Sequence, residues 1–215
     1  MDRKYWTGQR RQRLAVLFLV GLGVFFQCRT ARADQDLQLG LVWVNTATEF
    51  PLAFDPMAGE VGFIFAGMEI EVVWSDTTSA LLDQDIPTLR VVLTPTEPST
   101  WGLGEETMGV APRAGGNGAS IYIFLGSILR VLGFDLDGDR RMSPEDRRAI
   151  ARAVARVVAH EVIHVLDEHP GHASRGIVSP KLNRDFLSQP KVQLWPATAR
   201  MVRAGLLALS QKPRT

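Results

Sequence analysis

Cysteine is almost absent from this sequence, since Cys28 is the only one among 215 residues. It lies in an N-terminal segment that we expect to be removed, so disulfide bonds and thiol chemistry are excluded from the chain that remains. The sequence also lacks internal repeats and low-complexity tracts. Residues 34–215 are therefore predicted to form one domain that depends on its hydrophobic core.

An apolar run long enough to cross a membrane is missing as well. The run at residues 14–26 has about 13 residues, whereas a spanning helix needs ~20. Basic residues precede this run, and Ala31-Arg32-Ala33 follows it. That order predicts a signal peptide over residues 1–33 and export to the periplasm or the extracellular space, with no stable membrane insertion after cleavage.

A strong positive charge is also lacking. The full chain has a net charge of +1, from 24 Lys and Arg against 23 Asp and Glu. Without the seven basic residues and one acid of the leader, 17 basic residues stand against 22 acids, which gives a net charge of −5. We therefore expect no nucleic-acid partner.

The pattern of apolar residues and turn signals predicts an α+β domain with a mixed sheet. Short runs rich in β-branched residues predict strands at Leu39–Val44, Met68–Trp74, Arg90–Thr94 and Ser120–Leu125. Capping and breaking signals predict helices from Asp55 to Gly67, at Ser127–Leu132, from Ser143 onward, and at Pro196–Leu209.

The helix that begins at Ser143 has the clearest signals. Ser143, Pro144 and Asp146 form a capping-box pattern, and Ile150 and Val154 begin an apolar face with helical spacing. The opposite face is predicted to be a solvated, basic surface, made of Arg147, Arg148, Arg152 and Arg156.

All four histidines of the sequence lie in one short stretch, from His160 to His172. His160 and His164 have the i, i+4 spacing that places two imidazoles on one face of a helix, where both can bind one zinc ion. Glu161 lies beside that face and can accept a proton from a metal-bound water. The H-E-x-x-H pattern thus predicts a zinc site with Glu161 as the general base.

Catalytic zinc usually has three protein ligands and one water. Pro170-Gly171 should end the helix, and the chain can then return with either His169 or His172 as the third ligand. The spacing alone leaves both histidines open. Asp185 and Glu168 are weaker candidates for the same position.

This stretch resembles the metzincin-like zinc peptidases, which have the motif H-E-x-x-H-x-x-G-x-x-H followed by a methionine-containing turn. It is closer to small exported bacterial predicted proteases that have H-E-x-G-H, a histidine twelve residues after the first, and then Gly-Ile-Met. This resemblance implies a zincin-like fold and the ligand set His160, His164 and His172. It also implies that Ser120–Leu125 is the edge strand along which a peptide substrate aligns. The sequence departs from the pattern at three positions, which hold Ile163, Asp167 and Val178.

An acidic stretch at residues 135–146 resembles the twelve-residue calcium loop of an EF-hand. It offers carboxylates at positions 1, 3, 5 and 12, a backbone carbonyl at position 7 and a hydroxyl at position 9. These predicted calcium ligands are Asp135, Asp137, Asp139, Asp146, Arg141 and Ser143. The alternative is an acidic turn with a helix cap and no bound ion.

Together these patterns predict an exported zinc metalloendopeptidase that hydrolyses peptide bonds in a peptide or protein substrate. The alternative is a non-catalytic exported protein with a structural zinc site. Glu161 favours the enzyme, because a structural site needs no such carboxylate and is usually closed by a fourth protein ligand.

Overall fold

Five strands form one sheet in the computed structural model, which describes residues 37–48, 50, 52–76, 86–112, 119–134, 142–167, 172 and 176–211. The strands are β1 (Leu37–Asn45), β2 (Ile70–Ser75), β3 (Thr88–Thr94), β4 (Gly109–Val110) and β5 (Ser120–Phe124). The helices are α1 (Phe54–Ala66), α2 (Leu125–Leu132), α3 (Pro144–Leu166), α4 (Arg184–Ser188) and α5 (Pro196–Gln211). The predicted leader and its Cys28 lie outside the described residues. No helix of the described part is long and apolar enough to cross a membrane.

The sheet has the strand order β2-β1-β3-β5-β4. β1, β2, β3 and β5 are parallel, whereas β4 is antiparallel to β5 and lies at the edge. The prediction of an α+β domain with a mixed sheet is confirmed. The prediction that Ser120–Leu125 is the edge strand is wrong, because the two-residue strand β4 covers that side. A strand of two residues has no periodicity that a sequence pattern could reveal.

The core lies between the parallel strands and the helices. Alternate residues Leu89, Val91 and Leu93 of β3 are fully buried, and so are Val154 and Val158 of α3. Full burial of one such side chain stabilises the fold by roughly 1.5–3 kcal/mol. The apolar face predicted for α3 is therefore the face that fixes this helix in the domain.

Both ends of α3 agree with the sequence signals. The Ser143 hydroxyl accepts a hydrogen bond from the Asp146 N–H at 3.1 Å, and the Ser143 N–H donates to the Asp146 carboxylate at 3.0 Å. The predicted capping box is thus confirmed. The helix ends at Asp167, whose N–H donates to the carbonyl of Ile163 at 2.9 Å.

Arg156 departs from the prediction of a solvated basic face, because its side chain is 0% exposed. Its guanidinium donates to the Glu60 carboxylate of α1 at 2.9 and 3.1 Å. It also donates to the carbonyls of Phe186 at 2.5 Å and Gln189 at 2.7 Å. The acceptors come from distant parts of the chain, so local periodicity could not reveal them.

Several element boundaries differ from the predicted ones, and three of these differences change the structural role of a residue. α1 begins at Phe54 with Ala53 as its N-cap, so Asp55 is an acid of the first turn and not the cap. Met68 belongs to the turn that ends α1, because its N–H donates to the carbonyl of Phe65 at 2.8 Å. Leu125 starts α2 directly after β5 instead of ending the strand.

Candidate metal centre

The candidate site begins on the last turns of α3. His160 and Glu161 are buried, each with 7% of its surface exposed, and His164 is half-buried. The packed apolar face of α3 fixes the direction of these side chains, because residues i and i+4 of a helix project from the same side. The two imidazoles and the carboxylate are therefore presented by one rigid element.

His172 completes a cluster of three imidazoles. One ring nitrogen from each of His160, His164 and His172 lies within 4.8 Å of the other two. The Nε2 atoms of His160 and His164 are 2.9 Å apart. Two nitrogens bound to one tetrahedral zinc at ~2.0–2.1 Å would lie about 3.3 Å apart, so this spacing fits a shared ion. The three histidines could thus hold a metal ion.

A backbone carbonyl fixes the orientation of His160. The Nδ1–H of His160 donates to the carbonyl of Ile177 at 2.5 Å, which leaves Nε2 directed at the other histidines. Metal-binding histidines commonly donate their second ring nitrogen in this way. Gly176 precedes Ile177 with φ 83°, a conformation that glycine adopts without strain, and its carbonyl accepts from the Ser179 N–H at 3.0 Å.

The surroundings of His160 and His164 favour neutral imidazoles. Burial lowers the pKa of His160 most strongly, the bond to Ile177 opposes the shift, and the nearby His164 and His172 add to it, so that the pKa is about 4. Burial and His172 also lower the pKa of His164. Because a metal ion binds the neutral imidazole, these two side chains are ready to bind at neutral pH.

Glu161 has a different environment on the same turn. Burial raises the pKa of its carboxyl from 4.5 to about 7, and a hydrogen bond from the Ala111 N–H opposes that rise. No ion pair of Glu161 occurs within the described part of the chain. The carboxyl is therefore able both to accept and to release a proton near neutral pH.

The histidines and Glu161 line a cavity of about 720 Å³. Its walls also include Glu106–Ala111, which contains the edge strand β4, and Pro180–Arg184. Neither part of the wall was predicted from the sequence. No local signal distinguishes these segments from ordinary surface loops, because what joins them to the site is the packing of β4 and α4 around α3.

The other candidate ligands have different outcomes. His169 and Glu168 lie outside the described residues, as do the predicted calcium ligands Asp135, Asp137, Asp139 and Arg141. The remaining two calcium candidates, Ser143 and Asp146, form the capping box of α3. Asp185 is exposed on α4 and does not belong to the histidine cluster among the described residues.

Comparisons with protein-family models, curated proteins and solved structures find no match to this chain. The chemistry of the site must therefore be argued from its residues. They supply three nitrogen donors for a metal ion, an adjacent buried carboxyl, and a cavity that is large enough for part of a peptide.

Proposed function

We propose that this protein is a zinc-dependent metallopeptidase of the metzincin-like type. One observation carries the proposal: Glu161 lines the same cavity as His160, His164 and His172, which meet closely enough to share one ion. A metal site built only to stabilise a fold has no use for an adjacent buried carboxyl that forms no ion pair among the described residues. A hydrolytic site needs both features together.

Zinc is the metal that this donor set favours. Neutral imidazoles suit zinc, and three protein ligands that leave a fourth position open are typical of catalytic zinc sites. When bound, zinc lowers the pKa of its water to ~7 and polarises the carbonyl of the scissile bond. The bond between His160 and the Ile177 carbonyl would keep the ligand ring in place throughout the reaction.

Glu161 is the proposed general base. Its carboxylate accepts the proton of the attacking water and then delivers it to the leaving amine. The backbone of β4 lies beside it in the same cavity, so an extended peptide aligned with this edge would bring a peptide bond towards the histidines. The substrate class is accordingly an unstructured peptide or protein segment.

The metzincin-like assignment depends on the spacing of His160, His164 and His172, with Val178 in place of the methionine of the turn. The Gly176-Ile177-Val178 turn has a contact that supports its place in the site, since Ile177 binds His160. Export by a signal peptide and calcium binding at residues 135–146 stay predictions from the sequence.

The test compares the protein with its Glu161→Gln variant, which keeps the shape of the side chain but removes the base. We expect both to retain one zinc ion per chain, measured by elemental analysis. Only the parent should hydrolyse a casein-type substrate, and the variant should be about 10²–10⁴-fold slower. Removal of zinc by a chelator should abolish the activity of the parent, and added zinc should restore it.

A His164→Ala variant is the matched control for the metal. It should lose zinc and activity together, whereas Glu161→Gln loses activity alone. If both the parent and Glu161→Gln keep zinc and neither hydrolyses any of several substrates, the site is structural and the proposed function is wrong.

A further inference from the structure

Gly109 of the edge strand lies directly against Glu161. A Cβ atom at position 109 would be 2.8 Å from Cγ of Glu161, 2.9 Å from its Oε1 and 3.0 Å from Cγ1 of Val157. Carbon atoms in contact prefer separations of ≈ 3.5–4.0 Å. Any side chain at this position would therefore force Glu161 or the strand to move.

The strand has little freedom to move away. Gly109 pairs with Ile123 of β5, and the Phe124 N–H donates to the carbonyl of Met108 at 2.8 Å. The loop before the strand is also held, because the carbonyl of Glu105 accepts hydrogen bonds from Ser127 and Arg130 of α2 at 3.2 and 2.7 Å. The displacement would therefore fall mainly on Glu161.

The contact falls on a part of Glu161 that cannot yield without moving the carboxylate. Glu161 is 7% exposed, and the nearest contact involves its Cγ, which lies in the middle of the side chain and not at its free end. On the same strand segment, the Ala111 N–H donates to the carboxylate. One short stretch of backbone thus limits the position of the carboxylate by contact at Gly109 and by hydrogen bonding at Ala111.

We infer that Gly109 is a positioning residue for Glu161: its bare backbone, together with the Ala111 N–H, sets where the carboxylate lies in the cavity. The inference rests on the proposed function for the claim that this position matters to catalysis. The steric part does not depend on any reaction. Gly109 has no side chain, so it can neither bind the metal through one nor take part in proton transfer.

The experiment is a double-mutant cycle that introduces Gly109→Ala into the parent, into Glu161→Ala and into Val157→Ala. Free energies of unfolding are measured with urea for all six proteins, together with zinc content. We expect Gly109→Ala to destabilise the parent clearly and the Glu161→Ala background much less, because the nearest atoms have been removed. If the destabilisation caused by Gly109→Ala shrinks only in the Val157→Ala background, Gly109 serves helix–strand packing and the inference is wrong.

Kinetics supply a second measurement. Gly109→Ala should retain zinc and a similar KM, while kcat falls about 10–100-fold, as expected when a catalytic group is displaced by a fraction of an ångström to 1 Å. Gly104→Ala is the matched control, because a Cβ there meets only the Thr107 hydroxyl, at 4.0 Å. That variant should keep the kcat of the parent. An unchanged kcat in Gly109→Ala would overturn the inference.

Two further outcomes are distinguishable. If Gly109→Ala does not fold, folding of the Gly109→Ala/Glu161→Ala protein supports the inference, and failure of both overturns it. If the parent binds zinc but hydrolyses nothing, the proposed function fails, while the unfolding cycle still decides whether Gly109 positions Glu161.

Discussion

Arg156 and Glu161 are both buried ionisable side chains of α3, but they differ in their hydrogen-bond partners. Arg156 is 0% exposed and donates hydrogen bonds to Glu60 and to two backbone carbonyls. Glu161 is 7% exposed, accepts one described hydrogen bond, from Ala111, and lines a cavity. Arg156 thus has three hydrogen-bond acceptor groups around it, whereas Glu161 has one hydrogen-bond donor among the described residues.

This difference separates a structural charge from a candidate functional one. Burial lowers the pKa of Arg156, but the hydrogen bond and charge of Glu60 oppose that shift. Burial raises the pKa of Glu161 to about 7, although the Ala111 hydrogen bond opposes the shift. A buried carboxyl with a raised pKa beside three histidines is consistent with the proposed function, because stability alone would favour its replacement.

The largest loss of stability is expected from Arg156→Met. This change leaves Glu60 and the carbonyls of Phe186 and Gln189 without their donor, and we expect it to lower the free energy of unfolding by about 3–5 kcal/mol. Urea unfolding measures the loss. The second change Glu60→Gln should recover part of it, because no unpaired carboxylate then remains. A loss below about 1 kcal/mol would contradict the structural role of Arg156.

Glu161→Gln should instead raise the free energy of unfolding of the metal-free protein. The folded state holds a proton on Glu161 up to a pKa of about 7, whereas the unfolded chain releases it near 4.5, so the stability of the parent falls as the pH rises through this window. At pH 8 the variant should be more stable than the parent by about 1–3 kcal/mol.

The gain from Glu161→Gln should shrink towards pH 4, where the carboxyl of the parent is neutral in both states. Glu161 is not among the causes of the lowered pKa of His160 or His164, so the difference between the urea unfolding curves of the two proteins reports mainly on Glu161. If the variant is less stable than the parent at pH 8, Glu161 stabilises the fold as Arg156 does, and the prediction is wrong.

The smallest expected effect lies at the other end of α3, where the polar pair is partly exposed. Ser143→Ala removes the acceptor for the Asp146 N–H and should cost about 1 kcal/mol of unfolding free energy. If Ser143 also binds calcium, as the sequence predicts, the cost measured by urea unfolding should grow when calcium is added. An equal cost with and without calcium would limit Ser143 to capping.

Sequence patterns predicted the parts of the site that depend on neighbours along the chain. The spacing of His160 and His164 and the cap at Ser143 follow from the geometry of one helix. The choice between His169 and His172 needed the family resemblance, and the structure brings His172 to the cluster. His169 lies outside the described residues and remains untested.

Long-range packing explains what the sequence could not predict. Arg156 was expected in solvent, because nothing near it in the chain shows that Glu60 of α1 would meet it. The edge strand β4 has two residues, and the role of Gly109 depends on the approach of α3 to that strand. Such contacts arise only when segments far apart in the chain fold together.

The bond between His160 and the Ile177 carbonyl has a consequence for biosynthesis. Ile177 follows His160 by 17 residues, and the carbonyls that bind Arg156 follow it by 30 and 33 residues. Ribosomes add ≈ 5–20 residues per second, so His160 and its helix exist for about a second or more before these partners are made. A chain interrupted before His172 lacks the third histidine, and one interrupted before Ile177 lacks the carbonyl that orients His160, so the proposed metal site stays incomplete until both residues have been made.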